Sequence, residues 1–264
     1  LGYTFSQPSV VRLYNGEWAA VFGNGYNNTA ADGNASTTGN AVLYIVNIET
    51  GELIRKIDTG VGAADDPEGN NRPNGLATPA VVDVDGDASA DFVFAGDLFG
   101  NLWKFDLRDT NPSNWGSYVE SGNDPAPMFT TESPDAGGPP QPITVRPQVG
   151  FHPGGRQGLM IYFGTGKYLG SDDNAQTGQT TQSFYAVWDR TESNGSQNLF
   201  DRDDLLLQTI DAEVSVTRTS SFSGDDIESE LRVTSNNQIS AWFDGQGNSN
   251  GEFAGWVIDL IDPD

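Results

Sequence analysis

Four aspartates stand within nine residues in the stretch DVDGDASAD, residues 83–91. They occupy alternate positions, a serine fills the one remaining alternate position, and the stretch contains no Lys or Arg. Carboxylates this close repel one another unless a cation or basic groups compensate their charge. The stretch therefore predicts a cation-binding loop.

The spacing of the oxygen-bearing side chains is typical of a calcium loop. In a loop of the EF-hand kind, alternate positions turn toward one centre, and the seventh position supplies its backbone carbonyl oxygen. Calcium accepts about six to eight oxygen ligands at loosely constrained angles, so carboxylates, one carbonyl and water can complete its shell. The candidate ligands are Asp83, Asp85, Asp87, Asp91 and the carbonyl oxygen of Ser89.

Two positions depart from a complete EF-hand. Ala88 stands sixth, where glycine normally makes the turn, and Phe94 stands twelfth, where a bidentate glutamate would bind. No helical pattern flanks the loop, which instead joins the apolar runs 80–84 and 91–96. A calcium loop within a β-hairpin is therefore favoured, with Asp91 as a direct ligand. The alternative is an acidic bend in which Asp and Gly serve only as turn formers.

Short apolar runs separated by turn-forming residues must position this loop. The runs have the length and the β-branched and aromatic content of strands. Glycine at 32 positions and proline at 14 punctuate them, and no convincing amphipathic helix is legible. The chain is therefore predicted to be all-β.

A strand that ends in glycine recurs along the chain, at VFGNG, VFAGD and YFGTG. Each copy precedes a second strand that ends in an acidic or amide residue. Repeated units of this kind predict a quinoprotein-like β-propeller, in which neighbouring sheets bury each other's faces. We expect a single domain over residues 1–264 with about four legible blades, either a whole propeller or part of a larger one. The expected blades cover approximately residues 1–60, 73–120, 143–195 and 200–264.

Polar insertions rich in Gly, Asn, Ser, Thr and Pro interrupt the blades, and we expect them to form exposed loops at the rims. Residues 27–40 and 121–142 are candidate recognition loops by this criterion. A second alternation of oxygen-bearing side chains, DGQGNSNGE at 244–252, carries charges only at its ends. We interpret it as a hairpin turn.

The composition argues against several classes of function. The formal net charge of −24 repels phosphate backbones and anionic lipids, so nucleic acid is not an expected partner. The chain has no cysteine and a single histidine, His152, which excludes zinc sites built from two or more such ligands. We expect His152 in a turn or at the surface. No apolar run is long enough to span a bilayer, and we expect any secretion signal to lie outside this chain.

No catalytic arrangement stands out, and we expect no enzymatic activity. The chain has no G-x-S-x-G elbow, and GTGK at 164–167 lacks the spacing of a P-loop. Two alternatives stay open on the residues alone. One is an integrin-like or carbohydrate-binding propeller module of another secreted surface protein. The other is a quinoprotein-type dehydrogenase, because residues 47–57 and 100–107 resemble the strand and turn sequences of such enzymes.

Three stretches together resemble the C-terminal propeller of the PilC/PilY family of type IV pilus proteins. They are residues 1–28, 77–107 and 159–169, which include FGNGYN and the acidic loop followed by AGDLFGNLWKFDL. The resemblance implies a secreted, outer-membrane-associated factor at the pilus tip that supports pilus extension and surface attachment under calcium control. It implies minor pilins of the tip complex and a host or surface ligand as partners. Carried over by position, the calcium ligands are again Asp83, Asp85, Asp87, Asp91 and the carbonyl of Ser89.

Overall fold

Strands dominate the computed structural model, as predicted from the sequence. Helical structure in the described part of the chain is confined to four 3₁₀ turns, at Ala63–Asp65, Pro112–Asn114, Ser171–Asn174 and Arg202–Asp204. The structure describes residues 1–29, 35–174, 180–190, 200–219, 221, 225–243 and 252–261. The predicted hairpin turn at 244–252 therefore lies almost wholly outside the described residues.

The first sheet is a four-stranded antiparallel meander, in the order β1-β2-β3-β4. Burial alternates from one residue to the next along β2, as expected for a strand with one face against a core. The strands are β1 (Ser9–Arg12), β2 (Trp18–Gly23), β3 (Val42–Asn47) and β4 (Leu53–Asp58).

The second sheet has the order β11-β7-β6-β5, and β8 also pairs with β7. A separate two-stranded ribbon, formed by β9 and β10, lies between β8 and β11 along the chain. The strands are β5 (Ala80–Val82), β6 (Phe92–Gly96), β7 (Asn101–Asp106), β8 (Gly116–Ser117), β9 (Glu120–Ser121), β10 (Asp124–Pro125) and β11 (Phe129–Thr130).

The third sheet has the order β12-β13-β14-β18-β15, and β15 runs parallel to β18. Between β15 and β18 the chain forms a two-stranded hairpin, β16 with β17. The strands are β12 (Gln148–Phe151), β13 (Leu159–Gly164), β14 (Ser183–Asp189), β15 (Leu206–Gln208), β16 (Ile210–Thr219), β17 (Asp226–Thr234) and β18 (Gly255–Asp259).

The range 200–264, expected as a fourth blade, does not form a four-stranded sheet of its own among the described residues. Instead, β15 and β18 extend the third sheet, and Val257 of β18 joins that sheet's buried core. Apart from Ile210 at its base, the β16–β17 hairpin has no buried residue, so it cannot supply the interior of a blade. The three sheets do not close into a ring.

The second sheet is buried on both faces, and this is what stacks the three sheets. Every residue of β6 is buried, as are residues 101–105 of β7. On one face Trp103 packs in a cluster with core residues of the first sheet. On the other face Phe94 packs in a cluster with core residues of the third sheet. The continuous apolar run FVFAG is explained by this two-sided burial.

Two of the strand-ending glycines lie where the connecting chain passes close by. A Cβ atom at Gly23 would overlap the backbone carbonyls of Leu76 and Ala77, and one at Gly96 would overlap Ile143. Residues 76–77 lead into the second sheet, and Ile143 leads into the third. At these two positions glycine leaves room for the chain that leads into the next sheet to pass the end of the strand.

Candidate metal centre in the β5–β6 loop

The predicted cation loop joins β5 to β6 at one end of the second sheet. Gly86 and Ala88 make its turns in the left-handed region, with φ angles of 81° and 67°. Ala88 thus adopts the conformation for which an EF-hand loop uses glycine, at a modest conformational cost. The alanine at the sixth position does not prevent the loop from turning.

Side chains of the loop bind its own backbone. The Asp83 carboxylate accepts hydrogen bonds from the amides of Gly86, at 2.7 Å, and Ala88, at 2.8 Å. The Asp85 carboxylate accepts one from the amide of Asp87, at 3.0 Å. These bonds stabilise the turns of the loop at Gly86 and Ala88.

Three of the five predicted ligands converge by their side chains. Asp83, Asp85 and Asp91 each offer a carboxylate oxygen, and these oxygens lie within 4.8 Å of one another. Oxygens that share one calcium ion at its usual bond lengths are at most about 5 Å apart. Asp83 and Asp85 are exposed, whereas Asp91 is buried at 2% exposure. The separation fits a cation the size of calcium.

The other two predicted ligands are held differently. The Asp87 carboxylate accepts a hydrogen bond from the Ser89 amide at 2.7 Å and does not belong to the converging group. The Ser89 hydroxyl accepts one from the Arg12 guanidinium at 3.3 Å. Ligation by the second oxygen of Asp87 and by the Ser89 carbonyl stays a prediction.

Two residues of the first sheet's neighbourhood reach this loop, and the sequence patterns did not point to them. Tyr14 donates its hydroxyl hydrogen bond to Asp91 at 2.7 Å, and the Ala90 amide donates to the Arg12 carbonyl at 2.9 Å. The hydrogen bond to Asp91 is the main cause of a raised pKa at Tyr14, followed by burial and by the charge of nearby aspartates. Tyr14 is therefore a firm donor that ties the first sheet to the loop.

The Asp91 carboxylate is fixed from two sides. One oxygen takes the Tyr14 hydrogen bond, and the other accepts from the Val84 amide at 2.6 Å. The backbone carbonyl of Asp91 also accepts from the Leu107 amide, just beyond β7. Asp91 thus links the loop to both the first and the second sheet.

The electrostatics of the loop favour a cation. Among the described residues, no Lys or Arg forms an ion pair with Asp83, Asp85, Asp87 or Asp91. The converging carboxylates therefore have no ion-pair partner in the described part of the chain, and hard oxygen ligands of this kind suit calcium.

An open groove lies beside the loop, between the first and second sheets. It includes two exposed apolar side chains, Val10 at 58% and Trp18 at 54% exposure. Four loop residues, Asp83, Ala88, Ser89 and Ala90, form part of its wall. Its lining comprises Val10, Val11, Arg12, Trp18, Val81, Asp83, Ala88, Ser89 and Ala90.

His152 begins the turn at residues 152–155, one of the two placements expected from the sequence, but it does not lie at the surface. It is 3% exposed and packs against Trp242 and Trp188, with ring centroids 4.1 and 4.8 Å away. Its Nδ1 accepts a hydrogen bond from the Gly154 amide at 3.0 Å. The two tryptophans that bury it stand 36 and 90 positions later in the chain, so the local FHPGG sequence did not indicate them.

Within the described residues, no helix is long and apolar enough to cross a membrane.

Comparison with known proteins shows which family this chain resembles in sequence. A family model described as the PilY1 β-propeller domain matches residues 1–222. A type IV pilus biogenesis factor PilY1 homolog of Xylella fastidiosa is 42% identical over 217 residues, which cover 80% of this chain. The type IV pilus biogenesis factor PilY1 of Pseudomonas aeruginosa is 32% identical over 280 residues, which cover 99% of this chain.

A solved structure shares the architecture. The crystal structure of the Pseudomonas aeruginosa PilY1 C-terminal domain matches 99% of this chain with a TM-score of 0.78 and 31% sequence identity. The match covers 51% of that chain. The chain spans only 13 and 21% of the two curated relatives.

Proposed function

The chain belongs to the family defined by the PilY1 β-propeller domain, and on this basis we propose that it is the calcium-binding propeller region of a type IV pilus tip factor. In this proposal it acts at the cell surface, contacts pilus components such as minor pilins, and supports pilus extension and attachment to a surface ligand. Calcium regulates these contacts, and no catalytic step is involved.

The observation that carries the calcium proposal is the convergence of Asp83, Asp85 and Asp91 to within 4.8 Å. Three carboxylates at this distance, without a basic partner in the described chain, are stabilised by a divalent cation. Magnesium requires shorter bonds and a near-octahedral shell with several retained waters, so the open spacing suits calcium better. Water and the remaining oxygens of Asp87 and Ser89 would complete the shell.

The bonds around Asp91 support a regulatory role for the ion. A calcium ion on Asp91 would restrain a carboxylate that also holds Tyr14 and the Val84 amide. It would thereby stiffen the contact between the first and second sheets and fix the groove wall at Ala88 and Ser89. Ion binding to the folded state alone stabilises it, by about 2.7 kcal/mol when calcium is at 100 times its dissociation constant.

The groove beside the loop is the surface that calcium would control. Its exposed Trp18 and Val10 offer an apolar contact to a pilus component or a surface ligand. Because loop residues form one wall, loss of the ion should change the groove without unfolding the sheets. This connects calcium occupancy to attachment.

Calorimetric titration with calcium tests the site. The protein should take up one calcium ion, and Asp85→Asn should lose this uptake because Asp85 belongs to the converging group. Glu49→Gln, an exposed acid in the β3–β4 turn, is the matched control and should bind calcium as the parent does. Equal uptake by the parent and Asp85→Asn would show that the loop is only an acidic bend.

The pilus role needs a separate readout. Cells that carry Asp85→Asn in the full-length protein should extend fewer pili and attach less well than cells that carry Glu49→Gln. Lost calcium uptake with unchanged pili and attachment would retain the ion site and reject its regulatory role.

A further inference from the structure

The β16–β17 hairpin stands apart from the three stacked sheets. Its strands of ten and nine residues pair, among the described residues, only with each other. Apart from Ile210 at its base, every residue of the two strands is exposed or only partly buried. A two-stranded ribbon with this much exposure is marginally stable in water unless something packs on it.

One face of the hairpin is largely apolar, with Ser229 and Arg218 as its polar members nearer the tip. The cross-strand pairs Val214 with Leu231 and Ala212 with Val233 lie on this face, and Ile227 follows nearer the tip. Side chains alternate between faces with a period of two, so these residues share a side. The exposed fractions are 41% for Val214, 55% for Ile227, 51% for Leu231 and 46% for Val233.

The opposite face is acidic, and its acids are concentrated on β17. Thr219 pairs with Asp226, Thr217 with Glu228, and Ser215 with Glu230. Nearer the base, Glu213 and Arg232 form an exposed ion pair at 3.5 Å. The hairpin is thus amphipathic across its two faces, and β17 has its own acidic row.

The outer edge of β17 is open to pairing. Its only strand partner among the described residues is β16, so its second row of backbone amides and carbonyls faces away from the sheet. An exposed edge of this length is a template for another strand. It carries no proline that would block such pairing.

We propose that the outer edge of β17 is a strand-addition site for an extended segment of a partner polypeptide in which apolar and basic side chains alternate. A strand added there places alternate side chains on the two faces of the hairpin. Its apolar side chains cover Ile227, Leu231 and Val233. Its basic side chains lie beside Asp226, Glu228 and Glu230.

The charge of the chain selects this occupant over others. A net charge of −24 disfavours a second copy of the chain and an anionic membrane as the cover of the apolar face. A strand of alternating apolar and basic side chains complements both faces of the hairpin. Each cross-strand pair of opposite charges or of apolar side chains adds stability. No residue of the β5–β6 loop belongs to this edge, so strand addition at β17 does not depend on the calcium proposal.

A synthetic peptide provides the test. The probe is a nine-residue peptide of alternating valine and lysine with blocked ends, and the comparison peptide alternates valine and glutamate. The full protein should bind the lysine peptide and not the glutamate peptide in fluorescence polarisation. Methylation of alternate backbone nitrogens of the lysine peptide should abolish binding, because it removes the donors that pair with the β17 edge.

Two charge-reversed proteins locate the binding. Glu228→Lys/Glu230→Lys should lower the affinity for the lysine peptide by about tenfold or more. Glu49→Lys/Glu52→Lys makes the same change of net charge on the β3–β4 turn and should leave binding unchanged. Hydrogen exchange of residues 226–234 should slow when the lysine peptide is added.

Three outcomes would overturn the proposal. In the first, both charge-reversed proteins lose the same affinity for the lysine peptide, so binding depends on net charge alone. In the second, the methylated peptide binds as well as the unmodified one, so no strand is added. In the third, the protein is a dimer that Leu231→Ser dissociates, so a second copy covers the apolar face.

Discussion

The Lys104 ammonium lies 2.7 Å from the Asp189 carboxylate, and both side chains are buried between the second and third sheets. Burial is the main cause of a lowered pKa at Lys104, and the charge of Asp189 opposes it. The ammonium also stands 3.9 Å from the centroid of the Tyr118 ring and 4.2 Å from that of Phe92. Ring faces and a carboxylate together compensate the lost hydration of the cation.

Removal of one partner should destabilise the protein strongly. Lys104→Met keeps the length of the side chain and leaves the Asp189 carboxylate buried without its cation. We expect a loss of about 3–5 kcal/mol in the free energy of unfolding, measured by urea denaturation. Arg108→Met, which removes an exposed cation from the same region, should change it by less than about 1 kcal/mol.

The double variant Lys104→Met/Asp189→Leu separates the pair from general packing. If the unpaired charge causes the loss, the double variant should be more stable than Lys104→Met. An equal or larger loss in the double variant would assign the effect to cavity or packing changes.

The apolar runs anticipated the three stacked sheets because each strand and its neighbour are close in sequence. The third sheet ends differently, since β18 pairs with β14 after an excursion that contains β15 and the β16–β17 hairpin. This pairing depends on the packing of Val257 in the buried core of the third sheet, which the local sequence pattern does not indicate. The pairing of β18 with β14 is therefore the part of the described fold that the apolar runs did not anticipate.

The turns of the acidic loop could be predicted from the sequence because its hydrogen bonds join residues close together in the chain. Asp83, Asp85 and Asp91 converge through turns that the Asp and Gly spacing itself encodes. Tyr14 reaches the same site from 77 positions earlier in the chain, through the packing of the first sheet on the second. The sequence of the loop does not indicate a residue that sheet stacking brings to it from a distant part of the chain.

Two variants of the loop should separate ion binding from apo stability. Asp91→Asn should lose calcium and also destabilise the calcium-free protein by about 1–3 kcal/mol, because Asp91 is buried and bonded to Tyr14 and Val84. Asp85→Asn, at an exposed position, should lose calcium with little change in the calcium-free melting temperature. The measurement is thermal unfolding with calcium and with a chelator.

Tyr14→Phe is the companion to these variants. It should lower apo stability by about 1 kcal/mol through loss of one hydrogen bond, and it should keep a calcium site. Complete loss of calcium uptake in Tyr14→Phe would mean that Asp91 does not hold its position without the tyrosine.

Asp97, the residue after the glycine in VFAGD, is a buried acceptor at the end of β6 and is fully inaccessible to solvent. Burial raises the pKa of Asp97, while hydrogen bonds to the carboxylate favour its ionised form. Asp97→Asn would turn an amide toward donors that need an acceptor, and we expect a loss of about 3 kcal/mol in urea denaturation. Asp124→Asn, exposed in the β9–β10 ribbon, should be neutral. The donors are the side chains of Asn74, Asn101 and Trp103 and the amides of Phe99 and Asn101.

His152 should make the stability of the protein pH-dependent. Burial and, secondarily, the positive charge of Arg156 lower its pKa below the ordinary value of 6.5. Because its Nδ1 accepts from the Gly154 amide, Nε2 carries the hydrogen of the neutral ring, and a second proton on Nδ1 would remove that hydrogen bond and bury a positive charge. The unfolded chain binds the proton more readily. Stability is therefore full above the unfolded pKa and falls as the pH drops from there toward the folded pKa.

Urea denaturation at pH 7.5 and at pH 5.5 measures this effect. Between these values the parent should lose about 1 kcal/mol more than His152→Phe, which keeps an aromatic ring against Trp188 and Trp242 but cannot titrate. The many carboxylates contribute equally to both proteins and cancel in the difference. An identical loss in the two proteins would show that His152 accepts its proton in the folded state, which the hydrogen bond from the Gly154 amide to Nδ1 and the nearby guanidinium of Arg156 argue against.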